Sequence, residues 1–145
     1  MAAKFSYVNA FVCERVLIEK DEVLSAIRIA DIFQVPENAP ESTIVQFWLV
    51  LSLKINDESQ SSEYRITCTL IRSSGDRAVV VPTQVITPAR RIQDPSIPLS
   101  IGFVAQVNLK PVNMGAAYIE IDVDGEIVSV VPITLQRIPA MGPQK

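Results

Sequence analysis

No histidine occurs anywhere in this 145-residue sequence. That absence removes Ser-His-Asp and Cys-His nucleophilic systems, the usual neutral-pH acid/base group and most catalytic zinc sites. Cysteine is nearly absent as well. Cys13 and Cys68 are too few for a disulfide framework. Aromatic residues make up 6% of the chain, with a single Trp, so Trp48 stands out. No apolar run reaches the 18 or more residues of a membrane-spanning helix. The apolar part of the opening stretch is short and soon meets Glu14 and Arg15, unlike a signal peptide. These features predict a cytoplasmic protein with reduced thiols and no membrane partner. The net charge of -3 disfavours nucleic acid as a partner, because phosphate neutralisation dominates that affinity. No cofactor or metal is implied.

What is present is β-type patterning. Alternating apolar residues recur in short segments divided by Pro, Gly, Asn and Asp. Phe47, Leu49, Leu51, Leu53 and Ile55 share one parity, opposite Gln46, Trp48, Val50, Ser52 and Lys54. Tyr64, Ile66, Cys68 and Leu70 form a second inward face, and Leu99 to Leu109 a third. Val23 to Val35 reads as one strand with Ile27, Ile29 and Phe33 on a face. Tyr7 to Glu19 changes phase, which predicts a bulge near Glu14 and Arg15. Pro82 interrupts Ala78 to Ile86 and places that strand at an edge.

About eight strands predict an all-β fold: an antiparallel β-sandwich, immunoglobulin-like or jelly-roll-like, with a closed barrel as the alternative. Long loops near Pro36 and Pro88 read as crossings between sheets. One domain covers 1–138, and 139–145 forms a flexible C-terminal tail.

Asp124-Gly125 lies between two β-type runs, the strongest short-range hairpin signal. A two-residue turn pairs Val123 with Glu126, Ile121 with Val128 and Ile119 with Val130. That register points Val128 and Val130 inward and leaves Ile133 and Leu135 on the wrong parity. A bulge or bend at Pro132 that turns Ile133 and Leu135 back to the core is therefore expected.

The stretches Ala10-Phe11-Val12-Cys13-Glu14-Arg15-Val16-Leu17-Ile18-Glu19 and Val23 to Phe33 form half of a wider pattern. Tyr118-Ile119-Glu120-Ile121-Asp122-Val123-Asp124-Gly125-Glu126, running on to Val131-Pro132-Ile133, completes it. Together they resemble an uncharacterised family of small bacterial all-β proteins, a domain of unknown function. The resemblance implies a cytosolic β-sandwich and supplies no functional residues.

Few residues present themselves as sites. Cys13, Trp48 and Cys68 stand in immunoglobulin order, but Trp48 lies too near the second Cys. Cys68 fits a small core residue. Asp122, Asp124 and Glu126 lack the spacing and flanking helices of a calcium loop. Arg90 and Arg91, with Arg137 as an optional third, offer a weak anion or acidic-partner site. Trp48 and Val50 are more telling, since both occupy the parity that should face water. Their cover is either this chain's own loop or another chain. The expected function is thus a non-enzymatic cytosolic β-sandwich acting through protein–protein contacts, with an unknown protein partner or by self-association. Trp48 and Val50 serve as its apolar anchor, and Arg90 and Arg91 as its rim. The alternative is a small-ligand or carbohydrate-binding sandwich using loop residues.

Overall fold

A computed structural model describes residues 5–18, 24–29, 31–40, 42–56, 63–88, 99–110 and 115–139. Nine strands cover most of the described residues: β1 (Phe5–Ile18), β2 (Leu24–Ile29), β3 (Ile32–Pro36), β4 (Val45–Ile55), β5 (Tyr64–Arg72), β6 (Arg77–Ile86), β7 (Ser100–Leu109), β8 (Gly115–Val123) and β9 (Glu126–Ile138). They form a four-stranded sheet of order β2-β1-β4-β7 and a five-stranded sheet of order β3-β9-β8-β5-β6. One of the sheets curls into a half-barrel. The all-β, two-sheet arrangement expected from the alternation is present.

The alternating strands place the core as read. Phe47, Leu49, Leu51, Leu53 and Ile55 of β4 are fully buried, as are Tyr64, Ile66 and Cys68 of β5. Ile119, Ile121 and Val123 of β8 lie beside β5 in the five-stranded sheet, while Ile101, Phe103 and Val107 of β7 lie beside β4 in the four-stranded one. Phe33 and Phe47 stack with centroids 4.6 Å apart, joining the two sheets directly. Both predicted crossings occur: the chain changes sheet between β3 and β4 and again between β6 and β7.

Five expectations require correction. Val23 to Val35 is not one strand. Its first part, β2, pairs with β1, and its second, β3, joins the other sheet. A bend at Asp31 separates the two, so Phe33 enters the core from the opposite layer. The β3–β9 pairing is parallel, so the fold is not purely antiparallel.

No register break occurs at Glu14 and Arg15. β1 pairs regularly with β2 through that region, and its irregularity lies between Phe5 and Tyr7. The phase conflict has another cause. Val12 faces the core, while Phe11 and Cys13 occupy the other face of the same strand.

The hairpin forms, but its bulge lies elsewhere. Asp124 and Gly125 have φ of 53° and 88°, as a type I′ turn requires. Asp122 Oδ1 accepts the Gly125 N–H at 2.7 Å. Asp124 also extends the ladder to β5: its N–H donates to the Arg65 carbonyl (2.9 Å), and its Oδ1 accepts the Arg65 N–H (2.8 Å). Asp122 pairs with Ile127, but Ile121 pairs with Ser129, so Val128 is the extra residue. Parity therefore flips at Val128. Val131, Ile133 and Leu135 turn inward, and Val130 is exposed.

Pro132 lies opposite Tyr118 in unbroken register. Thr134, two residues on, donates its N–H to Asp31 on the β3 side. Alternation puts the missing donor of Pro132 on that same flank, just before β3 begins, so no ladder bond is lost.

Pro82 does lie in an edge strand. The register of β6 on β5 shifts on both sides of Cys68, where β6 carries an extra residue each time. Both devices discourage further pairing at that edge.

Candidate functional site: an apolar sheet face and an edge groove

The outer face of the four-stranded sheet is organised in rows across β1, β4 and β7. Two central rows are Phe11–Val50–Val104 and Cys13–Trp48–Gln106. On one side of them lies Asn9–Ser52–Gly102, and on the other Gln46 donates from Nε2 to Asn108 Oδ1 at 3.1 Å. An antiparallel sheet with one face on the core normally shows polar residues on the other. Here Phe11, Cys13, Trp48, Val50 and Val104 make the middle of that face apolar, and Gln106 and the flanking rows make its margin polar.

Val50 is only 7% exposed and Cys13 fully buried, yet neither belongs to the core between the sheets. Trp48, Phe11 and Val104 are half-buried around them. Trp48 and Val50 therefore fall together, as their parity predicts. Val50 forms the floor of the patch rather than an exposed anchor. Arg90 and Arg91 lie outside the described residues. Arg137 is on the other sheet, where its Nη1 donates to the Glu37 carbonyl at 3.1 Å. Phe11 and Val104 were not singled out from sequence. The signal for Phe11 was the apolar content of both parities of β1, which reads equally well as a bulge.

The two cysteines are free and buried. Burial pushes the Cys68 thiol up to about 12 and raises that of Cys13 as well. Neither is activated as a nucleophile. Among the described residues no group of three or more His, Cys, Asp or Glu side chains could hold a metal ion. Among the described residues no helix is long and apolar enough to cross a membrane.

A second feature is an open groove of about 750 Å³ between β3 and the start of β4. Its walls are Ile32 to Pro36 on one side and Thr43 to Gln46 on the other, with Glu14 of β1 contributing. It exists because β1 leaves β4 after the Cys13–Trp48 pair to run beside β2. β3 forms an edge of its sheet. Its ladder to β9 starts with the Asp31 carbonyl accepting the Thr134 N–H and ends with the Glu37 N–H donating to Ile138. Five consecutive pairs in unbroken parallel register link these bonds. Asp31, Phe33, Val35 and Glu37 thus serve β9, and the backbone groups of Ile32 and Gln34 face the open side. A smaller hollow of about 10 Å³ beside Arg72 and Lys110 has room for about one water.

No family model matches the chain, and no curated protein matches it. Among solved structures, it is similar to Pseudomonas fluorescens alkylpurine DNA glycosylase AlkC, solved bound to DNA containing an abasic site analog. The TM-score is 0.41 and the identity 11%, over 72% of this chain. The chain spans 27% of that protein's length, and a likeness this slight has no bearing on function.

Proposed function

We propose that this protein is a non-enzymatic binding module that acts through protein–protein contact on the outer face of its four-stranded sheet. The observation that supports this reading is the apolar centre formed by Phe11, Trp48 and Val104 over the floor of Val50, with a polar margin around it. Apolar centres with polar rims are the anatomy of protein interfaces, and Trp is enriched among the residues that dominate them. The absence of histidine and the raised thiols argue against catalysis. A cytoplasmic setting fits two unpaired cysteines.

The finer fold reading is immunoglobulin-like. Taking β1, β4, β5, β6, β7, β8 and β9 as strands A, B, C, C′, E, F and G gives A-B-E facing C′-C-F-G, with β2 and β3 as additions. On this reading the B–F disulfide of immunoglobulin domains has no counterpart, since neither β4 nor β8 contains cysteine.

Self-association through this face is tested by sedimentation velocity across a concentration series. The double variant Trp48→Ala, Val104→Ser should keep the wild-type far-UV spectrum and sediment as a monomer where the wild type associates. Val50→Ser is the wrong probe, because it places a hydroxyl on a buried floor and lowers stability by about 1–3 kcal/mol. Wild-type protein that stays monomeric at every concentration excludes self-association. A folded double variant that associates like wild type moves the contact off this face.

A further inference from the structure

We infer that the groove beside β3 is a docking site for an extended segment of another polypeptide, which adds as a short strand to the β3 edge and brings a basic residue to its acidic border. The site adjoins the Trp48 face at Gln46 but is inferred independently of that face.

The backbone defines the kind of occupant. Ile32 and Gln34 each turn an N–H and a carbonyl to the open side, a donor-acceptor pattern that a β-strand matches. The ladder cannot continue past Pro36. That residue has no N–H, and its carbonyl already accepts the Ala39 N–H at 3.0 Å. The docked stretch is therefore short, about four residues at about 3.3 Å each.

The walls define its side chains. Ile32 on one side and Ile44 on the other are 52% and 55% exposed, which suits an aliphatic residue between them. A groove walled by β3 and the start of β4 admits a linear chain more readily than the broad edge of a second sheet. Glu14 contributes to the groove, while Asp31 and Glu37 bracket β3. Glu14 alone of these lines the groove, and Arg137 reaches the Glu37 carbonyl, but the three carboxylates outnumber that cation and favour lysine or arginine in the ligand, an effect that falls with added salt.

The probe is the fluorescein-labelled peptide KVTVTK with blocked ends, titrated with the intact protein and followed by fluorescence anisotropy. The expected result is saturable binding with a Kd of about 100 μM, weakening at least about threefold between about 50 and 300 mM salt. The counterpart EVTVTE should bind at least about tenfold more weakly. So should KVTVTK with its backbone nitrogens methylated at alternate residues, which removes its ladder donors.

Gln34→Pro deletes a donor on the open side and spares the bonds to β9, so it should fold normally and lose at least about tenfold in affinity. Ile44→Lys, at an exposed position, checks the other wall by adding charge of the peptide's own sign and should cost a similar factor. Absence of saturable binding up to about 1 mM overturns the proposal. So does unchanged affinity in folded Gln34→Pro, or for the methylated peptide. Wild-type dimerisation that Gln34→Pro abolishes would also overturn it, by identifying a second copy as the occupant.

Discussion

Cys68 is a small apolar residue in all but name. It has no exposed surface, and its thiol ionises only near pH 12, against an ordinary value of 9.0. The native state therefore retains a proton that the unfolded chain releases from about pH 9 upward. Stability from this group is complete below pH 9 and is lost as pH rises towards 12. Wild type and Cys68→Ala, compared by urea denaturation, should differ most near neutral pH, and the gap should narrow at about pH 10.5. A gap that stays constant over that range shows that the thiol does not stay neutral in the fold. The burial of Cys68 was legible from parity alone, because Tyr64, Ile66 and Leu70 flank it at period two. Cys13 was not legible in this way. It is buried on the outer face of the four-stranded sheet, and only the register of β1 against β4 shows its place beside Trp48.

Among the strands, the most readable were those with one uniformly apolar parity. β4, β5, β7 and β8 came through with their inward residues correct, because only one parity in each is consistently apolar. The misread elements changed partners or phase along their length. β2 and β3 run together in sequence, but their separation depends on which sheet has a vacant edge, and no local pattern carries that. β9 needed a parity flip, and proline was the visible suspect. The bulge instead falls at Val128, next to the turn, and Pro132 occupies a flank of β9 where no hydrogen bond is due. Pro132→Val should therefore leave unfolding free energy within about 0.5 kcal/mol of wild type, as an exposed substitution without a structural role does. A loss of about 2 kcal/mol or more in urea titration would restore the proline to a structural part.

As a whole molecule, the protein has one core shared by both sheets, and Trp48 reports on it from the four-stranded side. Ile121→Ala lies in the other sheet and should cost about 2–5 kcal/mol, in line with truncation of a fully buried aliphatic residue. Its unfolding midpoint should shift equally by Trp48 fluorescence and by far-UV circular dichroism. A Trp48 transition left unmoved while the circular dichroism transition shifts would show that the sheets unfold independently. The candidate surfaces belong to this scale too. Trp48 and Val50 were visible because two apolar residues broke an otherwise regular alternation. The groove at β3 was not, since it arises where β1 parts from β4, a consequence of strand order.

The parallel pairing of β3 with β9 also has a mechanical side. β9 is held laterally by β8 and β3, with its bonds lying across the strand axis. Tension applied along the chain at Ile138 therefore loads those bonds together in shear instead of opening them one by one. The five residues of β3 act as a clasp: a short strand from early in the chain that keeps a late one from sliding out of the sheet.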